Sequence, residues 1–324
     1  MAEHVSRAVF TPLLLFAMLL AADKTSAAQE LEPGSYQNAP TGVNVAAASV
    51  VVSRGNVLTD ASLPVEDARA EVEVLGLAYV RTLAVFGRAA KFDAQIPVTW
   101  ANFSGVILGE ERTRSLRGLA DPRFRLVVNL LGSPALTIPE FAKYRQRFIL
   151  GVSLQVVPPL GQYDDTRFVN LGSNRWSFRP ETGISWGRRR LILEAAGGAW
   201  LFTHNGNFVG RSQAPSPIYF AKGNAILTFR RGIWTALSYG RANGGRVRLN
   251  DLETNSFQTN DRLGLTSVIP ITRWVAIRVV ANSGLSTRSG ADFNSLAVGV
   301  QYTWVRRAQP PSQIPAVSGS DDMP

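Results

Sequence analysis

The residues best suited to chemistry in this chain are charged side chains set at even spacing within otherwise apolar stretches. Arg175, Arg179 and Glu181 fall on one face of an extended strand, and Arg123 and Arg125 share a face of another. Lys91 with Asp93, and Glu194, Lys222, Arg230, Arg262 and Arg278, take the less apolar face of their own stretches. Cations outnumber carboxylates in this set. Two chemistries are open to it. The arginines can line a pore of low dielectric and concentrate anions or polar groups. Alternatively, they pair with the carboxylates and brace a filled interior. Trp200, Phe202, Phe220 and Trp274 have the same inward phase. They offer either an apolar path for an aromatic solute or simple packing.

Other chemistries are thinly represented. The chain has no cysteine and two histidines, so there is no thiol nucleophile and no cysteine metal site. His204 sits in the turn-like run His204-Asn205-Gly206-Asn207, far from any serine arrangement that would need it as a base. Asp164 and Asp165 read as a solvated turn rather than a calcium loop, and the glycines lack phosphate-loop spacing. No enzyme, cofactor or metal is expected. The formal charge is +10, but the arginines are scattered between strands and turns, with no basic helix, so nucleic acid is not the expected partner.

The elements that hold these residues are strands. Ser295–Trp304 alternates strictly: Leu296, Val298, Val300, Tyr302 and Trp304 on one face, Ser295, Ala297, Gly299, Gln301 and Thr303 on the other. Phe92, Ala94, Ile96, Val98 and Trp100 oppose Lys91, Asp93, Gln95 and Thr99 in the same way. Twelve such stretches run from Gly42 to Trp304, at 42–53, 70–83, 90–103, 122–131, 147–158, 174–187, 190–203, 217–229, 232–242, 258–269, 273–286 and 293–304. Most have the length a tilted strand needs to cross a bilayer. The stretch 70–83 has apolar residues on both phases, which a bulge would reconcile.

The expectation is all-β: a single antiparallel transmembrane β-barrel of about 12 strands. An arginine facing lipid at mid-depth costs roughly 2–4 kcal/mol, which forces the charged faces inward. Trp176 and Trp186 share a face ten residues apart, as do Tyr219 and Phe229. At that spacing a tilted strand spans roughly 23 Å, the height of the apolar band. Together with Trp100, Tyr302 and Trp304 they are the expected membrane-interface girdle.

Residues 1–28 read as a signal peptide: Arg7, the apolar run Ala8–Ala22, then small residues for cleavage. Residues 29–41 form an extended periplasmic lead-in with two prolines, tucked into the barrel mouth or free of it. The segment 305–324 is a disordered Pro/Ser-rich tail. Connections near 86–88, 187–189, 230–232 and 270–273 are short, and those at 54–69, 104–121, 159–173, 204–216, 243–257 and 287–292 mostly longer and polar, the asymmetry of periplasmic turns and outer loops. The connection 132–146 carries a short helix from Pro139 to Tyr144.

Several blocks resemble one family: Leu31-Glu32-Pro33 with Tyr36, Asn38-Ala39-Pro40, Asp121-Pro122-Arg123, Leu160-Gly161-Gln162-Tyr163, Asn174-Arg175-Trp176-Ser177-Phe178, Pro180-Glu181, Gly244-Gly245 and Arg262-Leu263-Gly264. They are similar to the bacterial outer-membrane proteins labelled as a meta-pathway of phenol degradation. The likeness runs from about residue 31 to 304. It implies an outer-membrane barrel associated with uptake of small, aromatic compounds, and it implies no catalytic residues. The expected partners are outer-membrane lipid, the barrel-assembly machinery and a small-molecule solute. The alternative is a non-conducting barrel that is structural or binds partners through its loops.

Overall fold

The computed structural model describes residues 31–58, 65–107, 110–167, 169–229, 232–250, 252–254, 256–288 and 290–305. The segment 1–28 expected to be a signal peptide, the tail beyond Val305 and Arg230 lie outside the described residues.

The described residues are predominantly strand. In order these are β1 (Val43–Leu58), β2 (Val65–Val85), β3 (Arg88–Ile107), β4 (Glu110–Leu119), β5 (Arg123–Leu131), β6 (Phe148–Val157), β7 (Ser177–Arg188), β8 (Leu191–Phe202), β9 (Asn205–Phe208), β10 (Arg211–Pro215), β11 (Ile218–Thr228), β12 (Trp234–Gly244), β13 (Val247–Leu249), β14 (Leu252–Glu253), β15 (Gln258–Pro270), β16 (Val275–Thr287) and β17 (Gly290–Val305). Every pairing between them is antiparallel. β4 and β5 both lie against β3, at Val98–Ile107 and Ala90–Gln95, and so share one strand position. β1 pairs with both β2 and β17, and β2 with β3, which closes the sheet into a twelve-position barrel.

The burial pattern is inverted relative to a soluble core. Leu296, Val298, Val300 and Tyr302 are exposed on β17, while Ser295, Ala297, Gln301 and Thr303 are buried between them. Leu126, Leu154, Ile184, Leu193, Leu227, Leu237 and Leu265 continue the exposed apolar band around the outside. Arg179, Arg262 and Gln301 are nearly inaccessible inside. A continuous apolar belt with polar groups enclosed is the arrangement that hydrocarbon solvent demands.

Each of the twelve predicted stretches contains a barrel strand, but several details differ. There is no bulge within 70–83; β2 pairs with β3 in unbroken register from Arg69 to Val85. Both its faces are apolar because Val72 and Val74 point inward. There they pack with Val51, Ala101, Val280 and Phe293. The expected loop 104–121 is mostly β3 and β4. Likewise, 204–216 and 243–257 hold a separate four-stranded sheet, β14-β13-β10-β9. The short helix is present as α1 (Ile138–Lys143), with Glu140 closing a capping box on Thr137. The β2–β3 turn has Phe86 and Gly87 both at positive φ, the two-residue hairpin geometry that matches strand twist.

Candidate functional site

The barrel interior is occupied by the chain's own lead-in. Residues 31–42 do not run free in an extended form; they turn inside the barrel, and Ser35 and Tyr36 are each 1% exposed. Pro33-Gly34 makes the turn. Gly34 has φ +88, the second central position of a Pro-Gly turn, and the Ser35 hydroxyl donates to the Glu32 carbonyl at 2.9 Å. Further along, the Thr41 amide donates to Leu136 O at 2.8 Å, and Asn38 Nδ2 donates to Pro134 O. These contacts join the segment to the β5–β6 connection at the short-turn end.

Glycines on the wall make room for it. A side chain at Gly151 or Gly183 would collide with the Tyr36 ring, and one at Gly240 or Gly264 would meet Leu31 at 2.8 Å. The Tyr36 hydroxyl donates to Glu181 Oε1 at 2.9 Å, and Asn129 Nδ2 donates to the Tyr36 carbonyl. On the other flank the Gly34 amide donates to Glu194 Oε2 at 2.7 Å, and Lys91 Nζ donates to the carbonyls of Gly34 and Ser35. Burial and the Glu181 charge hold the Tyr36 phenol above its ordinary range.

Glu32 is the centre of this arrangement. Its Oε2 pairs with Arg125, with Arg179 Nη2 at 3.1 Å and with Lys222 Nζ at 3.7 Å. Glu181 faces the same cations, at 3.0 Å from Arg125, 2.9 Å from Lys222 and 4.0 Å from Arg179. Burial raises the Glu32 carboxyl, and Arg125, Arg179 and Lys222 together more than reverse that, holding it well below the usual carboxylate range. The space left among Glu32, Ser35, Lys91, Asp93, Gln95 and Arg125 is about 10 Å³, at the lower limit for a single water.

Toward the long-loop end, cations and rings alternate on one wall. Arg175 lies over Phe202 at 5.1 Å and donates to Gln213. Phe202 stacks with Trp200 at 6.3 Å. Arg179 lies 5.3 Å from the Trp200 ring and 5.9 Å from Phe220, and Lys222 Nζ is also 5.9 Å from Phe220. A second clasp lies nearby: both oxygens of Asp121 accept hydrogen bonds, Oδ1 from the Gly161 amide and Oδ2 from the Ser173 amide and hydroxyl. This ties the β6–β7 connection to the gap between β4 and β5.

The structure therefore brings Arg125, Arg179, Glu181 and Lys222 together around a residue that the strand-face reading left out. Glu194 sits with Lys91 across the Gly34 turn. Arg123, Arg262 and Arg278 are buried on the inward faces of β5, β15 and β16. Trp200 and Phe220 are buried on the inward faces, Phe202 packs beside them, and Trp274 is half-buried in the turn just before β16 with Arg273 over its ring. Trp176, Trp186, Tyr219, Phe229 and Tyr302 face outward. Trp100 shares that face under Arg117, and Trp304 packs on Tyr302 and Tyr79. No group of three or more His, Asp or Glu able to hold a metal occurs among the described residues.

Comparison with one solved structure gives the same fold. An outer-membrane channel from Pseudomonas putida F1 superposes with TM-score 0.69 at 15% identity, covering 85% of this chain and all of that one. The β domain of the Bordetella autotransporter BrkA aligns at TM-score 0.48 and 10% identity, over 81% of this chain and all of that one. No curated protein matches the sequence. The family model described as "Putative MetA-pathway of phenol degradation" matches residues 47–236, more than half of the chain. With a closed barrel, an enclosed charged interior and that match, the chain belongs to this family of outer-membrane β-barrel proteins.

Proposed function

We propose that the protein is a gated outer-membrane channel for small anionic or aromatic solutes, which pass by diffusion along the wall that carries Arg175, Arg179 and Lys222. The observation that carries this reading is the seating of residues 31–42. Around Glu32, Gly34 and Tyr36 the seat is held by polar and ionic contacts that water or a solute can replace, beside smaller apolar ones at Leu31, Tyr36 and Ala39. Arg123, Arg125, Arg262 and Arg278 contribute the field that draws anions in. Trp100, Trp176, Trp186, Tyr219, Phe229, Tyr302 and Trp304 anchor the barrel at the two membrane interfaces. The aromatic end of β17 presents the closing strand to the assembly machinery after the segment 1–28 has directed export and been cleaved.

The same seating favours a second reading, a barrel that never conducts and works through its outer loops and the β9–β10–β13–β14 sheet. Planar-bilayer recording separates the two. Conductance steps with anion preference, more frequent after deletion of residues 31–41, support the channel. Silence in both proteins, with heat-modifiable gel migration showing intact barrels, refutes it.

A further inference from the structure

Three cations converge on one oxygen of Glu32. All three also lie within 4.0 Å of Glu181, so two carboxylates face three cations, and losing Glu32 leaves one carboxylate against three. Withdrawing Glu32 alone leaves buried, undercompensated charge. Replacing its carboxylate with another carboxylate leaves the local charge unchanged. The route by which a replacement would arrive is lined with flat rings: Phe202 and Trp200, stacked at 4°, lie between Arg175 and Arg179, and Phe220 lies between Arg179 and Lys222.

We infer that Glu32 is a tethered surrogate for the ligand: the Arg125–Arg179–Lys222 cluster, with Trp200 and Phe220 beside it, is a binding site for an aromatic carboxylate, whose arrival displaces Glu32 and unseats the lead-in. The inference rests on the channel reading for its consequence, though not for the site. It goes beyond that reading in excluding uncharged aromatics as openers, because a phenol or an alcohol brings a ring without the charge that the cluster requires. The space beside the seated cluster is about 10 Å³, so a ring enters only as the lead-in leaves; it would then lie against the Trp200 and Phe220 wall, with its carboxylate on Arg179 and Lys222.

The tether also determines what wild-type protein would show. An intramolecular carboxylate competes at an effective concentration of roughly millimolar or more, so wild-type protein responds only to ligand supplied well above that concentration, whereas Glu32→Ala responds below it. The experiment is titration calorimetry of the full chain in detergent, wild type against Glu32→Ala, with benzoate, acetate and benzyl alcohol as probes. Benzoate binds Glu32→Ala at least about tenfold more tightly than wild type, acetate binds it more weakly than benzoate, and benzyl alcohol gives no heat. Adding Arg179→Gln to Glu32→Ala abolishes the benzoate signal.

Equal benzoate affinity in the two proteins overturns the surrogate role. Equal binding of benzoate and acetate overturns the aromatic part, and binding of benzyl alcohol overturns the charge requirement. If Glu32→Ala does not fold, the same three probes are scored on otherwise wild-type protein carrying Ser35→Cys. Only benzoate should accelerate thiol labelling, and no acceleration refutes the site. Benzoate binding without any bilayer conductance would sink the channel reading and leave the site standing. Conductance indifferent to benzoate would do the reverse.

Discussion

Glu32→Gln isolates the charge that holds the lead-in in place, because it keeps the side chain's shape and removes only its ionisation. In the folded chain, one Glu32 oxygen serves Arg125, Arg179 and Lys222, whose side chains are 4%, 1% and 3% exposed against 15% for Glu32, so solvent screens little of the interaction. Breaking a buried pair costs about 3–5 kcal/mol. Glu181 remains within 3.0 Å of Arg125 and 2.9 Å of Lys222, which argues for the lower end. About 3 kcal/mol corresponds to a change on the order of 10²-fold in the ratio of seated to unseated lead-in. The cysteine-free chain supplies a clean assay. Ser35 is 1% exposed, so in a Ser35→Cys background a water-soluble maleimide reacts only when the segment leaves its seat. Labelling should be about 10²-fold faster with Glu32→Gln than in the Ser35→Cys parent. Rates within about threefold of each other, well under 1 kcal/mol, would refute the view that Glu32 is the latch.

The other predictions concern the seat, the wall, pH and the lipid face. Gly183→Ala puts a methyl group into the Tyr36 ring and should weaken seating by about 1–3 kcal/mol, read as faster Ser35→Cys labelling; Gly197→Ala, whose nearest neighbour is Phe220 O at 3.4 Å, should not. Arg175→Ala with Arg179→Ala should reduce anion preference in bilayers, and an unchanged reversal potential would count against a solute-contact role for that wall. Because the folded Glu32 carboxyl lies below its ordinary value of 4.5, its contribution to seating is complete above that value and is lost only as pH falls through the lower folded one. Open probability attributable to this latch should therefore be the same at pH 7 and pH 5. Val298→Arg, on the exposed face of β17 opposite Val50 and Val279, should cost about 2–4 kcal/mol and lower the temperature at which gel migration shifts.

What could be read from the sequence depended on whether lipid enforced a pattern. Within the bilayer, every outward position must be apolar and every charge must turn inward, so period-2 alternation located all twelve barrel strands and the inward phase of Arg179, Glu181 and Lys222. Beyond it, that pressure ends. β4 reads Glu-Glu-Arg-Thr-Arg-Ser-Leu-Arg, with no greasy face to detect, and the four-stranded sheet of β9, β10, β13 and β14 is likewise hidden among polar residues. The ambiguity at 70–83 had a different source: the inward face is itself apolar there, where Val72 and Val74 meet Phe103 and Leu171. The lead-in was illegible for want of length. A Pro-Gly turn in a polar segment says that the chain reverses, not where. The usable signal lay elsewhere, in the inward-phase glycines Gly151 and Gly183 on adjacent strands, a paired hollow that a closed barrel has no reason to leave empty.

Counting charges by strand face alone gives an interior with a large cationic excess, and a folded barrel cannot enclose such an excess cheaply. Glu32 answers part of that problem from outside the strands. Its carboxylate sits against the three cations that Glu181 by itself undercompensates, and the segment that delivers it also fills the hollow above Gly151 and Gly183. Partial charge compensation and filling of the lumen are thus one event, carried by twelve residues that have no strand of their own. On the proposed reading, a wall that attracts anions is held quiet by an anion that the chain itself supplies. Anything that unseats the lead-in must then either pay the electrostatic cost or bring a carboxylate in exchange.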